Sequence, residues 1–304
     1  MDSVNQQIES EKPKTKNRLR NLFLVFGLII FFIYWFLSAP FGSRDFVVHV
    51  RYGQSVSSVS LELKSKNIIR DDFIFKVFVK LFKSGGGVVA GDYLIYKHSP
   101  VWIVAWQIAR GHHNIEPIKV TIREGLNNEQ LANLLKEKLT SFDKDLFLEK
   151  INDKQGYLFP DTYFFFTLDT TEEIINKLSN NFENKIKNIE SSIKKSGKSL
   201  SDIITMASIL EGEAEGKGDI ETISGILWKR IYLGMPLQVD VDKSTYTTKG
   251  LPLGPLNNPG LVSIDASMNP QNSPYLYYLH DKNGKVHYAV TFEEHKRNIS
   301  KYLK

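Results

Sequence analysis

Between Leu22 and Ala39 the chain reads LFLVFGLIIFFIYWFLSA, with no charged position. At a rise of about 1.5 Å per residue this run predicts a helix close in length to the roughly 30 Å hydrocarbon core of a bilayer. Beyond it the apolar pattern breaks into shorter periods. Phe46 to Val50 predicts a strand, Gly53-Gln54 a turn, and Ser55 to Lys66 a capped amphipathic helix. Asp71 or Asp72 opens a second helix carrying Phe73, Phe75, Val77, Phe78 and Leu81, broken at Ser84-Gly-Gly-Gly87. Ala90-Gly-Asp-Tyr-Leu-Ile-Tyr96 returns as a strand, and Val101 to Arg110 as a helix.

The second half alternates similarly. A strand lies within Asn114 to Ile122. Helices follow over Asn128 to Leu139 and around Phe142 to Ile151, then a long charged one with a solvated face over Glu172 to Lys198. Ser199 or Ser201 caps a helix whose Leu200, Ile203, Ile204, Ala207 and Leu210 recur at helical spacing. Ile220 to Leu233 predicts another, capped by Asp219 and ended by Gly234. Met235 to Asp240, Gly250 to Pro255 and Asn258-Pro-Gly260 read as rigid Gly/Pro-rich loops of the kind that wall clefts. Tyr275 to Leu279 and Val286 to Thr291 predict a hairpin about Asn283-Gly284, and Glu294-His295 open a terminal helix.

Charge decides how the first helix sits. Lys12, Lys14, Lys16, Arg18 and Arg20 precede it, so residues 1–21 are expected to be a cytoplasmic tail, 22–39 a membrane span, and the rest extracytoplasmic. A cleaved signal peptide is the alternative. The long aromatic core, and Pro40 after the one plausible small-residue site, favour a retained anchor. Of 304 residues, 42% are hydrophobic and 12% aromatic, enough for two modest domains with real cores. Net charge is +5, spread along the chain, with no Arg/aromatic pattern pointing to nucleic acid. The absence of cysteine excludes disulfides, thiol nucleophiles and cysteine-ligated zinc.

Candidate chemistry centres on Ala207-Ser-Ile-Leu-Glu-Gly-Glu-Ala214. Glu211 falls in phase with Ile204 and Ala207, inside the apolar stripe, whereas Glu213 falls outside it and Glu215 near its edge. An unpaired carboxylate on a buried face is expected to hold a proton near neutral pH, which is the state glycosidic bond cleavage needs in its acid. The alternative is a helix end turning into solvent with three solvated glutamates. Trp102 and Trp106 share a helix face at i and i+4, placed either for packing or for stacking on sugar rings. His112-His113 lack a partner set with metal-ligand spacing and read as a surface turn.

The strand, helix, helix, strand order over 46–113 is that of a small LysM-like module. The chain as a whole resembles the endolytic murein transglycosylase (YceG-like) family from about Leu22 to Leu303. The resemblance rests on Val120-Thr-Ile-Arg-Glu-Gly125, Gly156-Tyr-Leu-Phe-Pro-Asp-Thr-Tyr163, Ala207-Ser-Ile-Leu-Glu211, Leu233-Gly-Met-Pro-Leu-Gln238, Gly250-Leu-Pro-Leu-Gly-Pro255 and Tyr275-Leu-Tyr277, six short motifs in order. It implies an α+β protein: a single transmembrane helix, the LysM-like βααβ module, and a mixed α/β catalytic domain over 114–304. It further implies a membrane enzyme that cuts nascent peptidoglycan glycan strands internally, works beside peptidoglycan synthases, and needs no cofactor or metal. Glu211 matches the family's catalytic glutamate. Gln238, Asp240 and Tyr246 stand where cleft residues fall and are expected to touch substrate. Tyr163 and His287 are further candidates, with a buried, satisfied side chain as the alternative for each. Asp161, Asp240 and Asp242 are candidate second carboxylates for a hydrolase.

Three departures from the family pattern stand out. The segment Val241 to Lys249 is short, its family run reduced to Lys243-Ser-Thr-Tyr246; Gln155 replaces a common glutamate; and Arg123 replaces a usual proline. The competing expectation is therefore a membrane-tethered peptidoglycan-binding scaffold with a weakened catalytic domain.

Overall fold

The computed structural model describes residues 14–42, 44–83, 87–213 and 220–303. The expectations for Lys12, for the break at Ser84 to Gly86, for Glu215 and for the Asp219 cap lie outside these residues. The chain divides into two compact units, Met1–Glu116 and Pro117–Lys304.

The first unit begins with α1 (Lys14–Leu37), whose Arg20–Leu37 stretch has a mean hydropathy of 2.0 and is long and apolar enough to cross a membrane. The strands β1 (Phe46–Val50) and β2 (Gly91–Ile95) pair antiparallel, Phe46 opposite Ile95 and Val50 opposite Gly91. Between them lie α2 (Val56–Ser65) and α3 (Asp72–Phe82), so the expected strand, helix, helix, strand order is present. The caps follow from side-chain chemistry: Ser55 accepts from the Ser58 amide and Asp71 from the Ile74 amide, which places the second cap at Asp71 rather than Asp72. α4 (Val101–Arg110) closes the unit and ends where Gly111 turns left-handed. The core gathers Val48 and Val50 from alternate positions of β1, Leu63, Phe75, Val79, Tyr93 and Ile108. Trp102 packs on this core, and Trp106, more exposed, lies 4.7 Å from the His112 ring.

The second unit opens with β3 (Ile118–Thr121), α5 (Asn128–Lys138), α6 (Lys144–Lys150) and β4 (Thr162–Phe165). β4 pairs antiparallel with β3, Val120 opposite Tyr163. The segment Gly156 to Tyr163, dense in aromatics and turn residues, thus runs into a strand. The stretch expected as one long helix is two, α7 (Thr171–Asn188) and α8 (Glu190–Ser196), separated at Ile189. α9 (Leu200–Glu213), capped by Ser199 through the Asp202 amide, is the central element, packed against α11 (Leu261–Met268) and α10 (Ile220–Tyr232). A single 3-10 turn (Lys243–Tyr246), the hairpin β5 (Tyr277–His280) and β6 (Val286–Ala289), and α12 (Phe292–Tyr302) complete the unit. One sequence expectation about α9 is corrected here: every residue from Ile203 to Leu210 is buried, so it has no single apolar stripe. The segment after Asn258-Pro-Gly260, to which the sequence pattern assigns no element, is the helix α11.

Candidate active site

Glu211 sits on the last turn of α9, half-buried. Its Oε2 accepts two hydrogen bonds, from the Gly260 amide at 3.0 Å and from Ser263 Oγ at 2.7 Å. Both donors belong to the start of α11, where Gly260 is the N-cap residue. First-turn amides of a helix lack partners inside it and its N-terminus favours negative charge, so a carboxylate fits there on general grounds. The carboxylate expected to be unpaired is therefore paired, because α11 brings donors the apolar pattern did not reveal. Among the described residues, Oε1 carries no hydrogen bond.

Glycines shape the walls. A Cβ on Gly125 would stand 3.5 Å from Glu211 Cγ, and Gly125 itself holds φ +78. A Cβ on Gly260 would fall 1.8 Å from Glu124 Oε1, so the Glu124 carboxylate occupies the space above the Gly260 Cα. Two carboxylates thus converge on Gly260. Sequence reasoning singled out the segment containing Glu124 but not the residue; a charge beside a glycine in a motif that must approach a helix end was the available signal. Ser263 and Gly260 were missed with α11. The traces they left are Leu261, Ile264 and Met268 at helical spacing after a residue tolerated at an N-cap.

Asn258, fully buried, binds the motif segments together. Its Oδ1 accepts from the Gly156 and Leu158 amides at 2.9 and 3.1 Å, its Nδ2 donates to the Leu126 carbonyl at 3.0 Å, and its own carbonyl accepts from the Gly125 amide at 3.0 Å. The preceding residues dock on α9: the Leu256 amide donates to Ser208 Oγ and Asn257 Nδ2 to the Ser208 carbonyl. Gln155 donates through one Nε2 to the carbonyls of Pro255 and Leu256. An ionised glutamate there could not donate to either.

The loop after α10 covers the other side of the same helix end. A Cβ on Gly212 would lie 2.3 Å from Val241 Cγ1, so Val241 rests directly on the backbone beside Glu211. Glu213 Oε1 accepts from the Asp240 amide at 2.9 Å and its Oε2 from the Tyr278 hydroxyl at 3.1 Å. Burial, with Glu213 adding to it, pushes the Tyr278 phenol well above its ordinary range. Asp240 accepts from Lys243 Nζ and from the Tyr246 hydroxyl, and these bonds hold its carboxyl below the usual carboxylate range. Gln238 has a left-handed backbone, φ +55, and its Oε1 accepts from Nη2 of Arg230, which is only 4% exposed. Gln238, Asp240 and Tyr246 are therefore brought together on one loop that packs against the Glu211 turn.

The remaining candidates lie in other clusters. Tyr163 is in the β3–β4 core; its hydroxyl donates to the Phe159 carbonyl at 2.6 Å and accepts from Asn181, and burial pushes its phenol up to about 12. His287 bonds Asp281 at 2.9 Å and stacks on Tyr302 at 3.6 Å, joining the hairpin to α12. Tyr163 is buried and His287 half-buried, and each has a side-chain partner. Asp161 is engaged by the Thr162 amide, Asn181 and Lys185, and Asp242 caps the 3-10 turn through the Ser244 amide.

The sequence profile of the YceG-like family matches residues 48–242 and 244–301, and the chain belongs to that family. It is 27% identical to an endolytic murein transglycosylase of Bacillus subtilis (strain 168), over 84% of either chain. It is 24% identical to an endolytic murein transglycosylase of Streptococcus pneumoniae serotype 2, covering 86% of this chain and 59% of that one. A crystal structure of a yceG-like protein from Listeria monocytogenes superposes with a TM-score of 0.57 at 25% identity, covering 84% of this chain and 99% of the other.

Proposed function

We propose that this chain is a membrane-anchored lytic transglycosylase that cuts the MurNAc–GlcNAc bond within nascent peptidoglycan strands and leaves 1,6-anhydroMurNAc ends. The observation that carries the reading is the setting of Glu211: one carboxylate oxygen held by Ser263 and Gly260, the other without a hydrogen bond among the described residues, on the turn covered by the Asp240–Tyr246 loop. Protonated Glu211 donates to the bridging oxygen as the bond to the muramyl C1 breaks. Ser263 and the Gly260 amide then stabilise the carboxylate that remains. That carboxylate takes the proton from the muramyl C6 hydroxyl as its oxygen bonds C1 and closes the anhydro ring. Glu211 is restored, and the nucleophile comes from the substrate itself. We assign sugar contacts to Asp240, Tyr246 and Gln238. Asp240, ionised in the neutral range, serves there as an acceptor for sugar hydroxyls.

The basic residues ahead of Leu22 support a cytoplasmic N-terminus, with the chain beyond Pro40 outside the membrane where nascent strands and their synthases lie. The order of β1, α2, α3 and β2 supports the LysM-like reading of the first unit. The test is mass analysis of sacculi digested by the full-length protein. New anhydromuramyl ends that vanish in Glu211→Gln, with no oxygen taken up from labelled water, are the expected result. Labelled reducing ends point to a hydrolase, and unchanged ends with both proteins point to a scaffold.

A further inference from the structure

The helix α3 is apolar on two opposite faces, with Asp72, Lys76 and Lys80 forming a charged stripe along one flank between them. Phe75 and Val79 face the core of the first unit, while Phe73, Val77 and Leu81, spaced i, i+4, i+8, are 68%, 49% and 72% exposed on the opposite face. Lys80 is exposed at the edge of that outer face, and Lys76, further round the same flank, pairs with Asp72. A helix that is hydrophobic on both sides has its second side covered by something other than water.

The neighbouring α1 indicates what that is. Ile74, at the start of α3, lines an apolar groove together with Ile29, Phe32, Ile33, Phe36 and Leu37 of α1. The exit of α1 is clamped by Arg70, which donates to the carbonyls of Ser38 and Ala39 at 3.3 and 2.8 Å. The Arg70 guanidinium also lies over the rings of Trp35 and Phe41, at 4.4 and 5.3 Å. Arg70 thus joins the end of the apolar span to the residue before the α3 cap. If residues 22–37 are in lipid, the first turn of α3 lies beside the span and not above it.

We propose that α3 is an interfacial helix, with Phe73, Val77 and Leu81 seated in the outer leaflet among acyl chains and headgroups. Lys80 reaches from that face to the phosphates. Trp35, Phe41 and Arg70 form the collar where the chain leaves the hydrocarbon. The first unit is then held on the bilayer surface by two elements rather than swinging from one. This inference rests on the reading of α1 as a membrane span.

The native chain has no cysteine, so a single cysteine carries a fluorophore to one site. Full-length Phe73→Cys, Val77→Cys and Leu81→Cys, labelled with bimane, are reconstituted in phosphatidylcholine–phosphatidylglycerol vesicles with doxyl groups on the acyl chains. Quenching by the doxyl lipids is expected at all three sites. Iodide quenching should be at least about threefold slower than for a free bimane–cysteine adduct, as for side chains in the headgroup–acyl zone. Labels open to iodide, or shielded from iodide yet untouched by doxyl lipids as under a protein partner or a second copy, overturn the proposal. A label at Phe31→Cys, in the middle of α1, reports separately on the span. If it is not quenched by deep doxyl groups the anchor reading fails, whatever α3 does.

Discussion

Glu211 and Ser263 meet at 2.7 Å, and this contact, with the Gly260 amide, orients the carboxylate on the reading above. Ser263 is a positioning residue: it touches Glu211 and acts through it. A hydrogen bond to a charged group is worth about 1.5–3 kcal/mol, so Ser263→Ala should lower kcat by roughly ten- to a hundredfold. KM should change little, because the lost bond serves the carboxylate left after proton transfer and not sugar binding. Steady-state kinetics on purified glycan strands separates the two, and a rise in KM at constant kcat contradicts the assignment. At this scale the sequence was partly legible. Helical phase and the family motif both selected Glu211. The phase argument assumed a one-sided stripe and an unpaired acid, and neither is present. α9 is enclosed on all sides from Ile203 to Leu210, and the donors to Glu211 come from two residues some fifty positions away, beyond the reach of any local period.

At the scale of elements, the site is a junction of three chain segments on α9: the loop before α5, the loop before β4, and the entry to α11. Asn258 ties them, satisfying two amides and two backbone positions from a fully buried place. Removing the side-chain amide takes the acceptor away from the buried Gly156 and Leu158 amides, while the Leu126 carbonyl keeps the Asn258 backbone amide. Asn258→Ala should destabilise the second unit by about 3 kcal/mol, read from denaturant unfolding, with activity lost in parallel. An unchanged midpoint would show that water replaces the side chain. Elements with their own apolar period, such as α4 and α10, were legible to within a residue or two. β4 and α11 were not. β4 is a short strand made regular by pairing with β3, and α11 is eight residues long, stabilised by packing on α9. Short elements of this kind form through tertiary contact, and local propensity contributes little to them.

Over the whole molecule, acid should weaken the fold before it reaches the carboxylates. His295 stacks on Tyr277 at 5.3 Å, and its Nδ1 is buried without a hydrogen-bond partner among the described residues. Burial, and secondarily Arg230, holds its pKa below the ordinary 6.5, and burial does the same for His113 in the other unit. The unfolded chain therefore binds protons more readily than the folded one in the window below 6.5. Stability is full above that value and falls as pH drops towards the lowered pKa. Thermal unfolding followed from about pH 7.5 to 5.5 should show a falling midpoint, flattened in His295→Phe. A midpoint that is level for the native protein over this range contradicts the assignment.

What the sequence determined by itself was the order of the longer elements, an apolar span beside a basic tail, the membership of a family, and one glutamate. Each of these is written in neighbouring residues: an unbroken run, a helical period, a short motif. Only the tertiary structure decided which side chains hold that glutamate, that Glu124 shares its glycine, that Gln238, Asp240 and Tyr246 gather on one loop while Tyr163 and His287 lie in other clusters, and that α3 keeps an apolar face uncovered. Those outcomes depend on close approaches between segments far apart in the chain, where a missing Cβ or a single amide sets the geometry, and no periodicity records them.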